Sequence, residues 1–320
     1  MKKPNLSLAL IIAAGLTTAH ADTFGTGVNQ FTIDFTTIGN PGNPADTTGY
    51  GSVGYAYRIG TYAISQNQID KATASGLQNV VAGWWSGDQP AAYMSWYESA
   101  AFVNWLNTTK GFQPAYNLTW SGSTWSMALW TVADAGYDAN NLYRNSLAKY
   151  FLPSENEFYK AAYGKSDGSG FYLYPTASDT APTAVASGTT AGTAVYGQNW
   201  SQGPASVYEA GGLSSYGTMG QRGNIQQWQE SVIYGPNPAY EGRVLSGGDF
   251  TDFDFHLVSS YRSGDFMDSE SVLTGFRVAS VADVGTIPEP STYALCFLAG
   301  FIFFIAYRRH LSLRSLALIS

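Results

Sequence analysis

Apolar and polar positions along the chain form a few short periodic stretches separated by long irregular ones. Behind Ser65, Ile69 and Ala72 sit at helical spacing; behind Ser95 come Trp96, Ala100, Val103 and Leu106; behind Ser154 come Phe158, Ala161 and Ala162. Each serine is followed three residues later by Gln68, Glu98 or Glu157. This is the spacing of a capping box, in which the serine oxygen accepts from the third helical amide and the Gln or Glu returns to the serine N–H. The pattern predicts three short helices that stop near Gly76, Thr108 and Gly164. Alternation predicts strands over Tyr55–Ile64 and Gly275–Val281. Thr36–Gly54 and Pro175–Gly197, rich in small and turn-forming residues, read as loops. The fold class is α+β, with few short helices, short strands and many loops.

Two apolar runs stand outside this pattern. Lys2 and Lys3 precede the mostly apolar Leu6–Leu16, and Ala19-His20-Ala21 fits an A-x-A cleavage site. Residues 1–21 therefore read as a signal peptide, with the mature chain starting at Asp22. At the other end, Tyr293–Tyr307 is an apolar run of 15 residues. It is slightly shorter than the about 17–25 residues of a usual span, but its terminal tyrosines and the snorkelling Arg308 and Arg309 extend it. One C-terminal transmembrane helix over 293–307 is expected, with residues 308–320 as a basic, cytoplasmic tail. Pro288-Glu289-Pro290 in the 286–292 segment, the span and Arg308-Arg309 together resemble the PEP-CTERM sorting signal. That resemblance implies an exosortase as partner, export, transient anchoring in the inner membrane, and a final place at the cell surface or outside it. A plain C-terminal anchor without processing is the alternative.

Composition narrows what residues 22–285 can do. The ends hold Lys2, Lys3, Arg308, Arg309 and Arg314 but only Glu289. The segment between them keeps 11 Lys+Arg against 22 Asp+Glu. So acidic a body repels nucleic acid and anionic membrane, which excludes them as partners. The one cysteine, Cys296, lies in the apolar run. The exported domain therefore has no disulfide, no thiolate nucleophile and no thiolate–metal site. Its stability must come from burial, and Phe, Trp and Tyr make up 15% of the chain.

Candidate chemistry is sparse. His20 and His310 fall in the terminal segments, leaving His256. Gly164-Lys165-Ser166-Asp167-Gly168 spells a nucleophile elbow, but it follows a predicted helix rather than a strand and reads as a loop. Asp252-Phe253-Asp254-Phe255-His256 alternates polar with aromatic. As a strand it would put Asp252, Asp254 and His256 on one face, where they could hold a divalent metal; a solvated strand face explains the same pattern.

Six segments, in order, resemble motifs of the formylglycine-generating enzyme (sulfatase-modifying factor) family. They are Tyr57–Ser65, Ser95–Ala100, Phe151–Phe158, Tyr216–Trp228, Arg243–Phe250 and Gly275–Val278. The resemblance implies a C-type-lectin-like fold. It also implies a copper-binding cysteine pair after the Gly247-Gly248 segment, at positions that fall near Asp252 and Leu257. Neither is cysteine, so copper and formylglycine formation are not expected. The family's structural calcium implies a role for Asn224, but Gln227 is neutral where the family has Glu, which weakens a Ca²⁺ site and leaves calcium open. The expected function is a binding or structural module without catalysis. Its candidate face is formed by Gln226, Gln227, Asp249, Asp252, Asp254, His256 and Arg262, its candidate metal ligands are Asn224, Asp252, Asp254 and His256, and its partner is an extracellular polysaccharide or surface protein. The alternative is an enzyme of the same family with altered, cysteine-free and metal-dependent chemistry.

Overall fold

The computed structural model describes residues 20–234 and 241–282. The sorting box, the apolar span, the basic tail and the signal segment up to residue 19 lie outside them. Among the described residues no helix is long and apolar enough to cross a membrane. His20 and Ala21, placed at the end of the signal segment by the sequence, sit in a strand paired with Phe35 and Asp34.

In chain order the elements are β1 (His20–Phe24), β2 (Phe31–Ile38), β3 (Tyr57–Gly60), α1 (Gln66–Ala74), α2 (Trp96–Thr109), β4 (Asn117–Trp120), β5 (Trp125–Ala128), β6 (Tyr150–Phe151) and α3 (Glu155–Tyr163). After them come β7 (Thr183–Ala184), β8 (Thr193–Ala194), β9 (Gln226–Tyr234), β10 (Gly242–Ser246), β11 (Ser263–Phe266), β12 (Thr274–Phe276) and β13 (Ala279–Val281). All three capping boxes form. The Gln68, Glu98 and Glu157 amides donate to the Ser65, Ser95 and Ser154 hydroxyls, and each serine amide donates back to the side chain three residues on. Both oxygens of Glu98 are thereby used, because its Oε1 also accepts from Val81 N at 2.8 Å.

A five-stranded antiparallel sheet runs β1-β2-β3-β13-β6, and a four-stranded sheet runs β11-β10-β9-β12 with β12 parallel to β9. One core joins both. Phe102, Val103 and Leu106 of α2 are buried in a cluster with Phe35 and Ile59 of the first sheet and Trp228, Leu245 and Phe276 of the second. Trp96 and Trp228 are buried with their indole N–H groups donating to Gln229 O and Met94 O, each at 2.9 Å. The polar edge of each ring is thus satisfied while its face contributes roughly 5 kcal/mol of transfer free energy.

The predicted strands are shorter than their patterns. Over Tyr55–Ile64 only Tyr57–Gly60 pairs. Gly275–Val281 is not one strand, because the chain leaves the second sheet at Phe276 and enters the first at Ala279. Arg277 stands at this crossing and is fully buried. Its guanidinium donates to Gly60 O (2.7 Å), Thr61 O (3.2 Å), Met219 O (2.7 Å) and Gln227 Oε1 (2.7 Å), tying the two sheets together. Thr36–Ile38, expected in a loop, extends β2. The rest of 39–54 is irregular, and within 175–197 the strands are β7 and β8, of two residues each, with isolated bridges at Ser178 and Gly188. Gly164 caps α3 and leads into a turn, so the spelled elbow is a loop.

Candidate functional site

The fourth and fifth motifs meet side by side. Ser246 of β10 pairs with Gln227 of β9, Gly223 N donates to Gly247 O at 2.6 Å, and Phe250 N to Asn224 O at 3.2 Å. The approach is close enough to demand glycine. A Cβ on Gly223, whose φ is +76°, would lie 2.5 Å from Val195 O, and one on Gly248 would lie 2.9 Å from His256 Cβ.

Past Gly248 the chain curls. Asp249 is buried, and its Oδ1 accepts from Thr251 N at 2.8 Å and from the Thr251 hydroxyl at 2.6 Å. Asp252 Oδ2 accepts from Asp249 N at 3.0 Å, and Asp252 Oδ1 lies 3.2 Å from His256 Nδ1. Gln226 Nε2 reaches Asp252 Oδ2 at 3.5 Å. Burial pushes the Asp249 carboxyl above its ordinary value, and the charge of Asp252 adds to the shift. Gln226, Asp249, Asp252 and His256 are thus brought together.

Other expectations for this face fail. Residues 254–256 form a 3-10 turn, not a strand, because the side chain of Asp249 folds the preceding backbone into a tight turn. Asp252, Asp254 and His256 therefore do not share a strand face. Asp254 is exposed, and among the described residues no group of three or more His, Cys, Asp or Glu side chains is placed to hold a metal ion. Asn224 is buried with both ends of its amide committed, Oδ1 accepting from Ala205 N (2.7 Å) and Nδ2 donating to Ala205 O (3.1 Å). Gln227 is 0% exposed and locked between Gly220 O and Arg277, so it is part of the core rather than the face. Arg262 turns toward α3, where it grips both oxygens of Glu155 at 2.5 and 2.7 Å and lies over the Tyr50 ring.

Several residues escaped sequence reading. Phe253 and Phe255 are 63% and 54% exposed, with stacked rings 5.9 Å apart, and His256 sits between Phe255 at 4.0 Å and Tyr261 at 4.6 Å. Two phenyl groups alternating with aspartates carry the signal, once the segment is read as a turn. Arg222 supports the turn from beneath, its Nη1 reaching His256 O (3.4 Å) and Tyr261 O (3.3 Å). Arg144 bridges Glu157 at 2.9 Å and Glu230 at 2.7 Å and lies 3.7 Å over the Phe151 ring. Its partners are too distant in sequence for spacing to reveal the network.

The chain matches the sulfatase-modifying factor enzyme 1-like domain over residues 14–282. It belongs to this family. Among solved structures, it is similar to CarF, at TM-score 0.55 and 20% identity, covering 78% of this chain and 99% of that one. It is also similar to Treponema denticola variable protein 1, at TM-score 0.55 and 19% identity over 83% and 100% of the two chains. PvdO from Pseudomonas aeruginosa matches at TM-score 0.52 and 12% identity over 82% and 98%. At these identities the likeness is one of fold. No curated protein matches by sequence. Asp252 and Leu257, near which the resemblance places the family's cysteine pair, have clear local roles. Asp252 caps the Asp249 turn and faces His256, while Leu257 is 0% exposed in the interior.

Proposed function

We propose that this family member is an exported binding module without copper chemistry, displayed at the cell surface or in the surrounding matrix after recognition of its PEP-type signal by an exosortase. The observation that carries the reading is what stands near the two positions implied for the cysteine pair: a carboxylate engaged in a turn and a buried leucine. Neither is a soft ligand for Cu(I). A family-type calcium site is also weakened, since Asn224 has spent its oxygen on Ala205 and Gln227 carries no charge.

What remains for contact is the turn itself. Phe253 and Phe255 offer rigid apolar faces, and Asp252, Asp254, His256 and Gln226 supply polar groups around them. Exposed aromatics with a polar rim are the usual anchors of a recognition patch. An extracellular polysaccharide or a surface protein is the expected partner. The test screens the full chain against glycan and peptide arrays with and without Ca²⁺, then compares Phe253→Ala, Phe255→Ala and Asp254→Ala. Graded affinity losses over the three variants support the module; a ligand that ignores all three removes the turn from the account.

A second reading, altered cysteine-free chemistry, draws on Asp249. Its raised proton affinity beside Asp252 and His256 is the arrangement that separates an acid from a base. Under this reading Asp249→Asn and His256→Ala abolish turnover of some substrate while the protein stays folded.

A further inference from the structure

A second site lies at the other end of β10. Ser246 leads toward the Asp249 turn, whereas Gly242 pairs with Phe266 of β11. The two ends are roughly 14 Å apart along the strand. Beside the Gly242 end, the start of α2, the β4–β5 hairpin and the turn after β11 enclose a cleft of about 870 Å³. That is the size of a small-ligand pocket.

Its walls are aromatic. Tyr97, Trp120, Trp125 and Phe266 line it. Trp125 is fixed by its indole N–H, which donates to Asn79 O at 3.0 Å, and its ring lies 5.1 Å from that of Trp120 at an interplanar angle of 56°. Phe266 is 47% exposed. The hairpin that carries the indoles is a separate two-stranded sheet.

Its charge is of one sign. Glu98 and Glu241 form the deeper part, and Asp268 and Glu270 stand at the exposed rim. No Lys or Arg is among the described lining residues. Arg243, the partner of the lining Glu241, is buried between the faces of Trp96 and Tyr143 and committed to that carboxylate at 2.6 Å. It answers Glu241 but not the rim. The rim carboxylate Glu270 is pushed above its ordinary value by partial burial and by the charge of Glu98, the behaviour of a group without a neutralising partner.

A concave site with π faces and uncompensated carboxylates attracts organic cations, through ion pairing at the rim and cation–π contact at the walls. We propose that this cleft binds a polyamine-type ligand, with protonated primary amines on a flexible alkyl stem that lies along Trp120 and Trp125 while the ammonium groups meet Asp268 and Glu270. Such amines occur free or as lysine side chains of a peptide, and the chemistry at the cleft is the same for both.

The test titrates spermidine and, separately, a lysine-containing peptide into the full chain at low ionic strength by calorimetry. Saturable binding of at least one is expected, and the stronger one identifies the source. Asp268→Asn combined with Glu270→Gln should weaken binding about tenfold, as the loss of two exposed ion pairs would. Its thermal midpoint should match the wild type. Trp120→Leu keeps every charge and should also weaken binding, which separates cleft contact from bulk electrostatics. Asp167→Asn, an exposed carboxylate outside both the cleft and the Asp249 turn, should leave the affinity unchanged. The proposal is overturned if neither amine saturates by millimolar concentration, if the rim double variant binds like the wild type, if Asp167→Asn weakens binding equally, or if a neutral oligosaccharide binds more tightly than both amines.

Discussion

Three buried charged residues show how single side chains hold this molecule in place. Arg277 supplies hydrogen bonds to three backbone carbonyls and to Gln227 at the point where the chain changes sheets. Arg277→Ala leaves these acceptors buried and unpaired, so a loss of at least about 3 kcal/mol is expected in urea unfolding. Glu157 and Asp249 respond to pH with opposite sign. Burial opposes ionisation of Glu157, but the Arg144 guanidinium outweighs it and holds the carboxyl below its ordinary value. Its contribution is present above the unfolded-state value, 4.5, and is lost as pH falls below it. Asp249 is shifted upward, so its folded form binds a proton more readily and its ionisation at neutral pH costs stability. Asp249→Asn should therefore raise the thermal midpoint more at pH 7 than at pH 4, read by scanning calorimetry at both. An equal shift at the two values would deny the carboxyl this role.

At the level of elements, the helices were legible because a capping box is a local object. Ser154 and Glu157 find each other within one turn whatever the rest of the chain does. Ser154→Ala should cost about 1 kcal/mol, measured by denaturant midpoint at constant slope. The strands were less legible, since their extent is decided by partners far away in sequence. Gly275–Val281 has continuous strand character, yet it is split by the contacts of Arg277 with both sheets. The Asp252–His256 segment misleads for another reason. Alternation of polar and aromatic residues suits a strand, but here Asp249 and Asp252 bind nearby amides and close a turn that leaves both phenyl groups exposed. Of the expected face, Gln226, Asp249, Asp252 and His256 converge. Gln227 and Arg262 do not, because buried partners, Arg277 and Glu155, claim their polar ends. The acidic cleft was invisible to motif reading, as its walls come from α2, an unremarked hairpin and the turn after β11.

For the whole molecule, family membership is carried by the fold, and the proposed role is binding without copper chemistry. In the packed body Gly223, Gly248, the buried Trp96 and Trp228 and Arg277 all serve the fold. A cysteine-free core of aromatic side chains explains how residues 20–234 and 241–282 can pack without a disulfide. The formylglycine chemistry that the resemblance implies needs two sulfur ligands, and the positions counted for them fall near Asp252 and Leu257, neither of them cysteine. The most direct measurement incubates the full chain, supplied with copper and oxygen, with a cysteine-bearing peptide and follows aldehyde formation by mass spectrometry. The account predicts no peptide aldehyde above a protein-free control at any time point, and a peptide aldehyde formed with turnover would contradict it.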